Sequence, residues 1–159
     1  MKPLAAWLIA ITTLAPAQNK SVPPFTGTWI LDLHRTTFVG KPHPPIAATV
    51  DIRYDGTHWH RWRSHTAPDG KVDTHSIDLI VDSPKPLITR DGPVTTYSYI
   101  HHDGDALVLK QEFVANTGEK ATNTVRYTLE DAGNTLIEFE QEVTPEGNET
   151  NRWVSTRKK

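Results

Sequence analysis

The chemistry-bearing residues of this chain crowd into one stretch, Thr57-His58-Trp59-His60-Arg61-Trp62-Arg63-Ser64-His65, within a sequence that holds eight histidines in all. On an extended strand successive side chains point to opposite faces, so His58, His60, Trp62 and Ser64 share one side and Trp59, Arg61, Arg63 and His65 the other. Each set suits a different chemistry. A His-x-His pair is the start of a site for zinc or another borderline metal and needs one or two further ligands, for which His75, His101, His102 and Asp73 are the candidates. No spacing among them matches an established metal motif, so no metal and no cofactor is assigned. The same histidines beside Trp62, joined by Tyr97, Tyr99 and His101 from a second segment of common phase, would instead grip a small, mainly apolar molecule with one polar or acidic head. Arg61 and Arg63 would meet a carboxylate through paired hydrogen bonds, yet they cannot point inward together with His58 and His60. Each face of the stretch carries a tryptophan, so its inward phase stays open. The expected ligand-binding set is His58, His60, Trp62, Tyr97, Tyr99 and His101.

Catalysis is the second class of reading. Asp73 with His75, and His101 with Asp103, lie two residues apart on one strand face, as a general acid–base pair would, and fit an isomerase or cyclase acting on a small apolar substrate. No catalytic residue is assigned. A non-catalytic protein-interaction module with a filled interior is the third class. The chain has no Gly-x-Ser-x-Gly elbow, no His-Glu-x-x-His, no phosphate-cradling glycine loop and no dinucleotide fingerprint. Zero cysteines exclude disulfides, thiolate metal centres and a cysteine nucleophile. With Lys+Arg 17 against Asp+Glu 19, a net charge of -2 argues against binding nucleic acid by bulk charge.

The elements that must position these residues are marked by their turns. Asp-Gly occurs at Asp55-Gly56, Asp69-Gly70, Asp91-Gly92 and Asp103-Gly104, and Gly118, Gly133 and Gly147 continue the series. Glycine and its Asp or Asn neighbours accept the backbone conformations of tight hairpins. The segments between are rich in Thr, Val, Ile, Tyr and Trp, and several alternate, as Val125, Tyr127 and Leu129 do against Thr124, Arg126 and Thr128, or Ile137 and Phe139 against Glu138 and Glu140. That alternation predicts one wet and one dry face. Strands are expected near 26–34, 46–54, 57–66, 71–81, 86–91, 94–102, 105–115, 120–130, 134–144 and 148–157, with Ser83-Pro84-Lys85-Pro86 dividing a segment too long for one strand. Twelve prolines and the absence of sustained helical periodicity leave no room for long helices. Sequential antiparallel strands either expose two edges or close, and closure gives a single up-and-down antiparallel β-barrel of 8–10 strands.

Residues 1–17 combine Lys2, an apolar stretch from Leu4 to Leu14 and the small-residue pattern Ala15-Pro16-Ala17. This is the order of a secretory signal peptide cleaved after Ala17, too short for a membrane span. It implies a secreted or periplasmic barrel domain over 18–159, expected to be a monomer without a nucleic-acid partner or a membrane span once the signal is removed.

Phe25-Thr26-Gly27-Thr28-Trp29-Ile30-Leu31-Asp32 opens the first expected strand. Gly27-x-Trp29 followed by an antiparallel meander resembles the start of the lipocalin-like (calycin) barrels. The whole mature chain also resembles small exported bacterial proteins with a Phe-x-Gly-x-Trp opening that are described as lipocalin-like. The resemblance implies that Trp29 plugs the closed end of the barrel and that an arginine of the last strand lies across it. Arg152 and Arg157 both match, and Arg152 is taken as the plug partner. The lipocalin Thr-Asp-Tyr turn motif is missing, no helix follows the last strand, and the 35–45 segment is too short for the two helices of the fatty-acid-binding branch. The resemblance therefore implies a scaffold and brings no particular ligand with it.

Overall fold

The ladder of turns becomes a ladder of hairpins in the computed structural model, which describes residues 25–41 and 43–159. The export signal expected at 1–17 lies outside the described residues. Eleven strands follow one another: β1 Gly27–Leu31, β2 Thr37–Val39, β3 Ala47–Tyr54, β4 His58–Thr66, β5 Val72–Ile80, β6 Leu87–Asp91, β7 Val94–Asp103, β8 Ala106–Ala115, β9 Lys120–Glu130, β10 Thr135–Thr144 and β11 Gly147–Arg157. Ten stand where the sequence places them. The eleventh, β2, has only three residues, and its existence depends on pairing with Thr150–Arg152 of β11. The hairpin between β7 and β8 shows the turn chemistry at work, since Asp103 pairs with Ala106 and leaves Gly104 at φ 63° to reverse the chain.

The strands form one antiparallel sheet in the order β5-β4-β3-β1-β11-β10-β9-β8-β7-β6. Strand β1 pairs with both β3 and β11, so the first and last strands meet and the sheet curls into a nearly closed all-β barrel. The one unpaired seam lies between β5 and β6, where Pro84 and Pro86 have no N–H to offer a ladder.

Inside, side chains stack in layers along the barrel axis. At one end Phe25, Trp29, Ile52, Tyr54, Trp59, Leu79, Ile100, Leu107 and Leu136 form a dry apolar core. Trp29 is fully buried, its indole N–H donates to the Phe25 carbonyl at 3.0 Å, and Arg157 spreads over its ring at 4.1 Å. Arg157 stands directly opposite Trp29 in the β1–β11 register and donates to the carbonyls of Thr26 and Gly133. The sequence-based choice of Arg152 is corrected here. Arg152 occupies the opposite phase from inward-facing Trp153 and reaches the Arg35 carbonyl and Glu130 on the outside. The Gly27-x-Trp29 motif thereby acquires a reason: Gly27 has φ 154°, and a Cβ there would collide with the Arg157 guanidinium.

One expected face is inverted. Val125 and Tyr127 of β9 point into the barrel as their alternation predicts, but on β10 it is Glu138 and Glu140 that are buried, at 1% and 9% exposure, while Phe139 is 39% exposed. Strand β10 is held between β9 and β11, whose registers fix its phase, and the barrel supplies partners for both carboxylates.

Candidate functional site in the barrel interior

Beyond the apolar core the interior turns polar. On β4 the inward phase is Trp59, Arg61, Arg63 and His65. Across the barrel on β10 it is Leu136, Glu138 and Glu140. Arg61 and Arg63 both donate to the same oxygen of Glu138, at 3.3 and 2.6 Å, and the Arg63 guanidinium also lies 4.4 Å from the centre of the Trp153 ring. Glu140 accepts from Trp153 Nε1 at 2.8 Å, Asn151 Nδ2 at 3.1 Å and Asn123 Nδ2 at 3.2 Å. Burial alone would push the Glu140 carboxyl up, but the Arg63 charge and these three donors outweigh it and hold it below the ordinary carboxylate range. Burial pushes the Tyr127 phenol up to about 12. His75, opposite Arg63 on β5, is held below the ordinary histidine value by burial and by Arg61 and Arg63, so it stays neutral near neutral pH.

This network is only half satisfied. Among the described residues seven buried side-chain atoms have no hydrogen-bond partner in the protein: Trp59 Nε1, Arg61 Nε, Arg63 Nε, Asn123 Oδ1, Tyr127 OH, Glu138 Oε1 and Asn151 Oδ1. All belong to the inward phase of the barrel. An unpaired buried polar group costs about 1–3 kcal/mol, and replacing a buried ion pair by apolar residues is often neutral or stabilising. A chain selected for stability alone would not keep such a layer, and departures of this kind concentrate at functional sites.

The layer borders a cavity of about 630 Å³ at the β5–β6 seam. The cavity walls come from β5, β6, β7 and β8, and they include Ile77, Leu87, Val94 and Phe113 on the apolar side and His75, Ser98 and Gln111 on the polar side. His75 is the register partner of Arg63 and Gln111 that of Asn123, so the cavity wall stands next to two residues of the polar layer. The walls are mixed, with Asp78, Thr89, Asp91 and Thr96 among the polar residues.

The expected ligand set lies outside this layer, and His58 and His60 line a separate cavity of about 480 Å³ with Tyr54, Asp55, Trp59 and Leu79. His58, His60 and Trp62 take the outward phase of β4, the open alternative of the two, because Arg61, Arg63 and Trp59 find their partners inside. His58 pairs with Asp55 at 3.2 Å and His60 with Asp78 at 2.6 Å on the outer surface. Trp62 sits in an outer depression with Thr28, Asp51 and Arg53. Tyr97, Tyr99 and His101 likewise face outward, since Ser98 and Ile100 between them are each 2% exposed. The remaining candidates are also dispersed. Asp73 pairs with His65 at 3.9 Å, Asp103 pairs with Arg126, and His102 pairs with Asp82. Among the described residues no three His, Cys, Asp or Glu side chains come together to hold a metal. Glu138, Glu140, Asn123, Asn151 and Trp153 went unrecognised, although the Glu138–Glu140 repeat on a strand whose other face is apolar is a signal when two arginines share a face elsewhere.

These features define a nearly closed, up-and-down antiparallel β-barrel, and comparison with solved structures agrees on that fold. The chain resembles Rv2717c from Mycobacterium tuberculosis, with a TM-score of 0.53 and 17% identity over 92% of this chain and 100% of that one. It also resembles a secretory abundant heat soluble protein from Ramazzottius varieornatus, with a TM-score of 0.53 and 14% identity over 82% and 93% of the two chains. A third is the zebrafish ileal bile acid-binding protein, solved with cholic acid, at TM-score 0.51 and 13% identity over 84% and 98%. At these identities the likeness is one of fold. No protein-family model matches the chain, and no curated protein matches it in sequence.

Proposed function

We propose that this protein is an exported barrel that holds a small amphipathic molecule, its apolar body in the seam cavity and its polar head against the Arg61–Arg63–Glu138 layer. The observation that carries the reading is a cavity of about 630 Å³ at the unpaired seam, walled by apolar and polar side chains and lying beside the buried Arg61–Arg63–Glu138 layer. Small-molecule sites are usually concave and of this size, with convergent polar groups that fix the orientation of the ligand. The bile acid-binding protein that shares the fold was solved with a small amphipathic acid, which supports the same use of this scaffold. The reading keeps the small, mainly apolar molecule with one polar or acidic head expected from the sequence and moves its site to the other face of β4. Export rests on the order of charge, apolar stretch and small residues at 1–17 and places the barrel in the periplasm or outside the cell.

Native mass spectrometry of the protein purified from its own host tests both parts. The expected species begins at Gln18 and carries the added mass of a retained small molecule, and the emptied protein takes up the neutral fluorescent probe N-phenyl-1-naphthylamine saturably. Thr96→Trp, which places an indole among the cavity walls, should weaken that uptake about tenfold or more. A bare chain that takes up no probe would overturn the binding reading, and a chain that retains Met1 after passage through its host would overturn export.

A further inference from the structure

The outer face of β4 carries one large aromatic ring among polar neighbours. Of the four tryptophans in the described residues, Trp29, Trp59 and Trp153 are buried, whereas Trp62 is half-buried and faces outward. In register beside it stand Asp51 on β3 and Ser76 on β5, along its own strand His60 and Ser64, and on two diagonals Arg53 and Asp78. Threonines hold the other two diagonals. Trp62, Asp51, Arg53 and His60 line a depression of about 490 Å³, which shares Thr26, Arg53 and His60 as walls with the cavity of about 480 Å³. None of these four residues lines the seam cavity. We propose that this outer groove is a second binding site, for a neutral gluco-configured oligosaccharide, with one sugar ring stacked on Trp62 and its hydroxyls held by Asp51, Arg53 and His60.

The groups around the ring have bonding capacity to give. Thr28 Oγ1 donates to one oxygen of Asp51 and leaves the other as an acceptor. Asp78 holds His60 Nδ1 at 2.6 Å, which leaves His60 Nε2 for another partner. The Arg53 guanidinium makes no hydrogen bond or ion pair among the described residues. A sugar hydroxyl both donates and accepts, so it suits a rim that mixes carboxylate, guanidinium and imidazole. The π face of an indole is negative and attracts the slightly positive C–H bonds on the flat face of a pyranose, where the gluco configuration places no axial hydroxyl. Other ligand classes fit less well. An acyl chain needs a continuous apolar surface, and every outer-face neighbour of Trp62 is polar. A cation on the ring would meet Arg53, and an anion would meet Asp51 and Asp78.

The test titrates the isotope-labelled full chain with cellotetraose and, separately, with laminaritetraose, and follows the backbone and indole N–H resonances. Saturable shifts are expected at Asp51, Arg53, His60 and Trp62 with at least one of the two, half-complete at about 1 mM or below. Trp62→Ala should weaken that binding about tenfold or more, and Arg53→Ala about threefold or more. Both variants should take up the naphthylamine probe as the parent does, because the seam cavity has other walls. Absence of saturable shifts with both glucans up to about 10 mM overturns the inference and leaves the seam reading standing. Undiminished binding by Trp62→Ala does the same, and if that variant does not fold, Arg53→Ala decides. Adenosine, flat but with a base in place of a second sugar, serves as the control, and its binding at these residues as tightly as either glucan also overturns the inference.

Discussion

The barrel is closed twice, and the two closures are made of different things. Where β1 meets β11, a backbone ladder joins Trp29, Ile30 and Leu31 to Arg157, Thr156 and Ser155, and the Arg157 guanidinium clamps the plug from above. Where β5 faces β6 and β7 there is no ladder. One backbone bond, from Asp82 N to the Ile100 carbonyl at 2.9 Å, and a chain of side chains span the gap. The Asp82 carboxylate accepts from the His102 backbone N–H at 3.0 Å and from His102 Nδ1 at 2.7 Å, and the Nε2 on the far side of the ring accepts from the Tyr54 hydroxyl at 2.8 Å. Asp82 itself sits at φ 59°, a left-handed conformation that Asp tolerates better than most residues. A ladder fastened over a buried tryptophan opens only with the whole fold, whereas a few exposed side-chain bonds can open alone. The cavity lies at the second closure, so the weaker seam is the one a ligand would use.

The largest expected effect breaks the strong closure. Trp29→Ala removes the plug and the ring under Arg157, and large aromatic truncations in a core cost about 3–5 kcal/mol. Chemical denaturation should show that loss as one cooperative shift of the whole barrel. A loss under about 1 kcal/mol would mean that the plug is not what holds the first and last strands together.

Much of this contrast was legible in the sequence and part of it was not, for physical reasons. The strands were readable because Asp-Gly turns and alternation are local signals, and Gly27-x-Trp29 carried the plug with it. Strand β2 was not readable, because three residues form a strand only when β11 is already in place. The phase of β4 was open because Trp59 and Trp62 stand on opposite faces, and what decides it is Glu138, a residue 75 and 77 positions away from its two arginines. The phase of β10 was misjudged for the same reason: alternation reports which face is apolar, and it equates the dry face with the inside only when the inside is apolar. Arg157 was hidden behind Arg152 until the register of β11 was known.

A middle-sized effect loosens only the weak closure. His102→Ala and Tyr54→Phe each remove a link of the side-chain chain, at a cost of about 1 kcal/mol apiece. Hydrogen exchange of the β5 and β6 amides should quicken accordingly while that of β1 and β11 stays as it was. Uniform quickening across the barrel would contradict the division into two closures.

The smallest effect comes from acid. The hydrogen bonds from the His102 side chain and then from its backbone hold the Asp82 carboxyl below its unfolded value of 3.8. A group with a lowered folded pKa contributes its stability above the unfolded value and loses it as pH falls through the folded one. Asp82 is exposed, so the contribution is modest, yet it acts at the seam alone. Acidification from about pH 5 to about pH 3 should therefore quicken exchange in β5 and β6 before it reaches β1 and β11. Glu140 is also held low and loosens the polar layer over a similar range, so the two must be separated. Asp82→Asn does so: it keeps a side-chain acceptor for His102 and removes the titration, and the acid-induced opening of the seam should shrink while any slower loosening around Glu140 persists. If the variant opened its seam with acid just as the parent chain does, protonation of Asp82 would not be what unfastens it, and the weak closure would have to reside in the backbone bond to Ile100.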